Sequence, residues 1–143
     1  MAVYPPVKNE HKNHILDKTF YPAPLPIDLQ EQAAEMARKI ADAVDLVGVL
    51  ALELFVTKDG KLLANEIAPR THNSGHWTID ACSISQFENH VRCVTGLPVG
   101  NPAPHSAAEM HNLIGDDIDK LDDYLATTGA HIHLYGKTES REG

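Results

Sequence analysis

From Asp28 onward apolar residues recur at three- and four-residue spacing: Leu29, Ala33, Met36, Ala37, Ile40 and Val44 share one side of a 3.6-residue repeat. The spacing predicts an amphipathic helix that stops before Gly48, and Asp28 followed by Glu31 has the form of a capping box at its start. The repeat then changes. Residues 49–57, VLALELFVT, are apolar and strand-like; Asp59-Gly60 is a two-residue hairpin signal, and residues 62–67 form the returning strand, closed by Pro69. A polar loop, RTHNSGH, fills residues 70–76. A second helix is predicted to start at Ser83 or Ser85 and run to Thr95, where Gly96 and Pro98 stop it.

The flanks are more broken. Pro5, Pro6, Pro22, Pro24 and Pro26 leave room only for short extended pieces at residues 3–7 and 14–20. Beyond Gly100, NPAPHS reads as a linker into a smaller unit with a strand at 109–114, a short acidic helix at 118–126 and a strand at 130–135. This alternation predicts an α/β or α+β layered fold with an antiparallel element.

Composition narrows the function. A chain of 143 residues that is 43% hydrophobic can bury one main core. A net charge of −8 with only 12 Lys and Arg excludes a general nucleic-acid binder, which needs a basic face to displace counterions from phosphates. No run of about 18 apolar residues occurs and the first residues are polar, so the expectation is a cytoplasmic protein with no membrane span. Cys82 and Cys93 match no zinc spacing and fall in one predicted helical region, as reduced packing residues.

The hairpin carries the sharpest chemical inference. If Asp59 and Gly60 form a two-residue turn, Lys58 faces Lys61, and counting back sets Glu53 opposite Glu66 on the same face. Such neighbours have Cβ atoms about 4.5 to 5.5 Å apart. Two carboxylates at roughly 5 Å repel by about 3 kcal/mol at an effective dielectric near 20, a cost that a divalent cation offsets. A solvated pair screened by Lys58, Lys61 and water is the alternative, although Glu53 sits among Ala51, Leu52, Leu54 and Phe55, where an unpaired carboxylate is costly. A three-residue loop with a bulge would slip the register by one and send the pair to opposite faces.

The stretch NEIAPRTHNSGHWTIDACSISQFENHVR, residues 65–92, resembles the signature of the N(5)-carboxyaminoimidazole ribonucleotide synthetases, ATP-grasp ligases of purine biosynthesis. VGVLALELFVTKDGKLLANE resembles their metal-carrying hairpin, and the late HLYGK their nucleotide-binding strand and turn. The resemblance implies the carboxy-terminal lobe of an ATP-grasp fold and selects α+β, with an antiparallel sheet and flanking helices over residues 1–98 and a β-rich subdomain over 99–143. It implies a reaction in which ATP phosphorylates bicarbonate to carboxyphosphate, whose carboxyl carbon passes to the exocyclic amine of aminoimidazole ribonucleotide. On matching positions it makes Glu53 and Glu66 the Mg2+ ligands, Asn65 and Glu66 the nucleotide-contacting pair, Arg70, His72 and Asn73 the catalytic group holding bicarbonate and its phosphorylated form, and Lys137 a contact to the substrate phosphate. The side chains suit those roles: Arg70 offers a planar fork of donors, and Asn73, His72 and His76 offer neutral ones.

Other metal readings are weaker. His72 and His76 at i, i+4 would need a helix that Pro69, Asn73 and Gly75 disfavour, and His131 with His133 lack a third ligand nearby. The acidic run at 116–123 lacks the glycine and spacing of a calcium loop and reads as a solvated helix. The amino-terminal nucleotide-fold domain and the basic lid of the family are missing here, as is a Gly-rich phosphate loop, and Arg141 does not align clearly with the phosphate-binding arginine. The chain is therefore expected to be a partial ligase, inactive alone, whose exposed apolar surface favours a homo-oligomer or a complementing chain. A non-catalytic assembly module and another ATP-grasp ligase are the competing readings.

Overall fold

Residues 1–136 are described in the structure, a computed structural model; Lys137 and Arg141 lie outside the described residues. The first strand, β1 (Lys8–Lys12), begins after the prolines and not at residues 3–7, because Pro5 and Pro6 have no N–H to give a ladder. It turns through Asn13 and His14, both at positive φ, into β2 (Ile15–Tyr21). Asparagine and histidine tolerate that conformation better than most residues, so the hairpin forms without a glycine.

The helix α1 (Ile27–Ala43) buries Leu29 and Ala33 from the expected stripe, together with Ala41, which the stripe did not include, whereas Val44 lies past its end and is exposed. Its start differs from expectation. Pro26 is the N-cap, no side chain caps it, and the Asp28–Glu31 capping box is absent. A proline with φ near −65° directs the chain into the first turn without a side-chain acceptor.

Strands β3 (Ala51–Val56) and β4 (Leu62–Ala68) form a separate two-stranded sheet. Their turn is a three-residue loop. Thr57 N–H donates to Lys61 C=O at 2.8 Å, and the Thr57 hydroxyl accepts from Lys61 N–H at 3.0 Å while donating to Asp59 at 2.6 Å. Near the turn the register is therefore one residue away from the two-residue expectation, with Val56, Phe55 and Leu54 opposite Leu62, Leu63 and Ala64. A bulge then inserts Asn65 as an unpaired residue and restores Glu53 opposite Glu66. A three-residue loop with a bulge, expected to send the pair to opposite faces, instead keeps Glu53 opposite Glu66, because the two departures from a regular hairpin cancel.

Past the hairpin, the RTHNSGH loop contains a 3-10 turn (Asn73–Gly75), followed by a short helix α2 (Thr78–Ala81) and by α3 (Gln86–Val94). Ser85 caps α3, its hydroxyl accepting from Glu88 N–H at 3.2 Å. The end is a Schellman motif: Gly96 at φ +74° donates to Cys93 C=O and Leu97 donates to Arg92 C=O. The two cysteines do not share a helical region as expected: Cys82 is extended just after α2, bridging to Pro104, and Cys93 lies in α3; both are free.

Strand β5 (Ala108–His111) pairs antiparallel with β2, so residues beyond 99 complete the first sheet in the order β1-β2-β5. Trp77, Ala81 and Cys82 make the core against Tyr4, Val7, Tyr21, Ala108 and Met110, and the Tyr21 ring stacks on Trp77 at 4.7 Å. The Tyr4 hydroxyl donates to Ile84 C=O at 2.8 Å and accepts from Asn89, and burial pushes its pKa up to about 12.

The acidic segment forms a 3-10 turn (Gly115–Lys120) and a short helix α4 (Leu121–Leu125), as expected. Residues 130–135 do not form the expected strand. No neighbouring edge pairs with them among the described residues, and side chains hold the segment instead: His131 and His133 grip the two oxygens of Asp80 at 3.2 and 2.7 Å, and Tyr135 reaches His76 at 3.2 Å.

Candidate functional site

The hairpin and the loop after it bring the chemistry together. Glu53 is mostly covered, with its side chain 19% exposed, whereas Glu66 is exposed beside it. Asn65, the bulged residue, points its amide at Glu53 Oε2 at 3.4 Å, and His72 Nε2 lies 3.6 Å from Glu53 Oε1. Glu53, Glu66 and His72 place ligand atoms within 4.8 Å of one another, and among the described residues they are the one group of three able to hold a metal ion. Asp80 with His131 and His133 does not qualify, since the imidazoles take different oxygens of one carboxylate.

Polar groups of Asn65 and His72 face Glu53, but Glu66 is not offset in the same way. No cationic side chain reaches Glu66 among the described residues, and the Arg70 guanidinium, exposed at the loop entrance, meets only Thr71 C=O at 3.0 Å. Two carboxylates and an unpaired fork of donors thus sit in neighbouring segments, the charge pattern of a site for a cation and an oxyanion together. Asn73 adds a second sign of an absent ligand, since its Oδ1 is buried and has no partner among the described residues.

The loop is rigid for local reasons. His72 Nδ1 accepts from Ser74 N–H at 3.3 Å and lies 2.8 Å from Ser74 Oγ, so the ring caps the 3-10 turn and turns Nε2 toward Glu53. Gln86 holds the His72 backbone at both its N–H and C=O. His76 packs against Phe87 and Tyr135, and burial, with smaller contributions from His72 and His133, holds its pKa below the usual histidine value. An unprotonated His76 keeps positive charge off this side of the loop.

Glu53, Asn65, Arg70 and His72 open onto a cavity of about 780 Å³ between the hairpin, α1 and the amino-terminal segment. That volume is in the range of small-ligand sites, and its lining mixes apolar residues such as Val3, Val7, Leu25 and Leu54 with polar ones such as Lys8 and Asn9. Of the expected site residues, Glu53, Asn65, Arg70 and His72 line this cavity and Glu66 lies beside Glu53 and His72, whereas no side-chain hydrogen bond joins Asn73 to them among the described residues and Lys137 lies outside those residues. Gln86 and Thr78 were not legible as site-supporting residues, because their partners lie eight to fourteen residues away along the chain.

A family model of the ATP-grasp domain matches residues 1–87, and one of the phosphoribosylaminoimidazole carboxylase C-terminal domain matches residues 108–143. The chain belongs to the ATP-grasp family. Within it, the whole chain is 53% identical over 143 residues to the N5-carboxyaminoimidazole ribonucleotide synthase of Brucella melitensis, spanning 40% of that relative's length. A solved N5-carboxyaminoimidazole ribonucleotide synthetase in complex with ADP superimposes with a TM-score of 0.94 at 41% identity, over 97% of this chain and 38% of that one. The Aspergillus clavatus synthase in complex with ADP and 5-aminoimidazole ribonucleotide gives 0.91 at 33% identity, over 99% of this chain and 41% of its own.

Proposed function

We propose that this chain supplies the metal-holding and bicarbonate-holding part of an ATP-dependent ligase that carboxylates 5-aminoimidazole ribonucleotide. The reading is carried by one observation: in an ATP-grasp domain, the carboxylates of Glu53 and Glu66 face each other across the hairpin, with His72 alongside as a donor and an Arg70 that has no carboxylate partner among the described residues. The relatives solved with ADP and with aminoimidazole ribonucleotide support the substrate class. In this reading residues 1–98 are the metal- and nucleotide-binding lobe, residues 99–143 are part of a carboxy-terminal subdomain, and Lys137 is assigned to the phosphate of the ribonucleotide.

The donor set fits magnesium. Glu53 and Glu66 offer hard oxygens and Asn65 a polar neighbour, whereas His72, with Nδ1 accepting from Ser74, presents Nε2–H as a donor and so is assigned to substrate. Magnesium, when bound, offsets the charge of the ATP phosphates. Arg70 fixes two oxygens of bicarbonate, leaving the third to attack the γ-phosphorus; the bond to the ADP oxygen breaks as the new one forms. His72 and Asn73 donate to oxygens that gain charge in that step. The ribonucleotide amine then attacks the carboxyl carbon of carboxyphosphate, phosphate leaves, and the nitrogen gives up a proton.

A chimaera tests this. With these 143 residues replacing the aligned segment of the Brucella melitensis synthase, ADP release should require both bicarbonate and aminoimidazole ribonucleotide. Glu53→Gln or Glu66→Gln should lower turnover at least about a hundredfold. A folded chimaera whose ADP release ignores aminoimidazole ribonucleotide would overturn the proposal.

A further inference from the structure

We infer that Gln86 is a positioning residue: its side-chain amide grips the backbone of His72 at two points and thereby sets the imidazole against Glu53. The inference rests on the reading of Glu53, Glu66 and His72 as the working site. Gln86 is the first residue of α3 and is 6% exposed, unusual for a long amide side chain. Its Oε1 accepts from His72 N–H at 3.0 Å and its Nε2 donates to His72 C=O at 2.7 Å. One side chain thus replaces the strand that would otherwise pair with this residue, and both backbone groups of a half-buried loop position are satisfied.

The grip is itself anchored. Gln86 N–H donates to Thr78 Oγ1 at 3.0 Å, and Thr78, 1% exposed, donates to Gly75 C=O at 2.6 Å. The starts of α2 and α3 therefore clamp the loop at His72 and at Gly75, and between them the ring is fixed by Ser74. Gly75 makes room for this arrangement, because a Cβ there would fall 2.6 Å from Gln86 Cδ, well inside contact distance.

Chemistry restricts the residue. A glutamate would set a carboxylate oxygen against the His72 carbonyl, acceptor facing acceptor, and leucine would leave both backbone groups unpaired. Gln86 touches neither carboxylate of the pair through a hydrogen bond; it acts through His72.

The test uses the 15N-labelled chain, with amide exchange at His72 and the tautomer signature of its ring as readouts. The intact protein should show His72 protected and its ring in the single form with Nε2 protonated. Gln86→Ala should accelerate exchange at the His72 amide at least about tenfold and mix the ring tautomers. Gly75→Ala should reproduce both changes with Gln86 still present. Asn89→Ala, which cuts Asn89 from Tyr4 and Gly100 on the same helix, should lower the melting temperature and leave the His72 signature alone. Retention of the signature in both Gln86→Ala and Gly75→Ala would overturn the inference, as would its equal loss in Asn89→Ala. These readouts need no metal, so loss of the functional reading, detected as Mn2+ binding that ignores Glu53→Gln, is seen separately.

Discussion

Glu53, Glu66 and His72 place side-chain atoms within 4.8 Å of one another. Residue identity and spacing made the Glu53–Glu66 pair legible, whereas the roles of Arg70, His72 and Asn73 came from the family resemblance. Burial was harder to read. Cys82 is 6% exposed, and burial pushes its thiol up to about 11, so it stays protonated and inert near neutral pH. Cys93 is only half-buried on α3. Iodoacetamide should therefore alkylate Cys93 well before Cys82 in the native chain, with mass spectrometry showing Cys82 modified only after unfolding. Equal rates would mean that the Trp77–Ala81–Cys82 core is not packed as described.

Periodicity identified α1, an apolar run ending in Asp59-Gly60 identified the β3–β4 hairpin, and start and stop residues around Ser85 and Gly96 identified α3. These signals did not show the 3-10 turn or the grip of Gln86, which depend on partners brought near by folding. The hairpin shows how a right pairing can come from an unforeseen route, since the loop has three residues and Asn65 repairs the slip. Deleting Asn65 distinguishes the two routes. In the observed hairpin the deletion leaves Glu53 opposite Glu66 in an uninterrupted ladder, whereas with a two-residue turn it would move Glu66 opposite Leu54 on the other face. Cross-strand nuclear Overhauser contacts between residues 53 and 66 should persist in the variant; contacts between 54 and 66 in their place would refute the bulge.

At the scale of the whole molecule, the sequence indicated an α+β layering but not its cross-connections. β5 lies 87 residues after the end of β2 and still completes that sheet, and Asp80 ties down a segment fifty residues later that was expected to be a strand. None of the helices among the described residues is long and apolar enough to cross a membrane. Phe55, Leu63 and Ile67 remain about half exposed on the hairpin, and the chain spans 40% of the length of its Brucella melitensis relative. The central claim is that Glu53 and Glu66 together form the cation site of this ATP-grasp domain. Titration of Mn2+ into the 15N-labelled chain tests it most directly. Paramagnetic broadening should begin at the amides of Glu53, Asn65, Glu66 and His72 and weaken in Glu66→Gln; broadening that begins instead along residues 116–123, with the hairpin resonances still sharp, would contradict it.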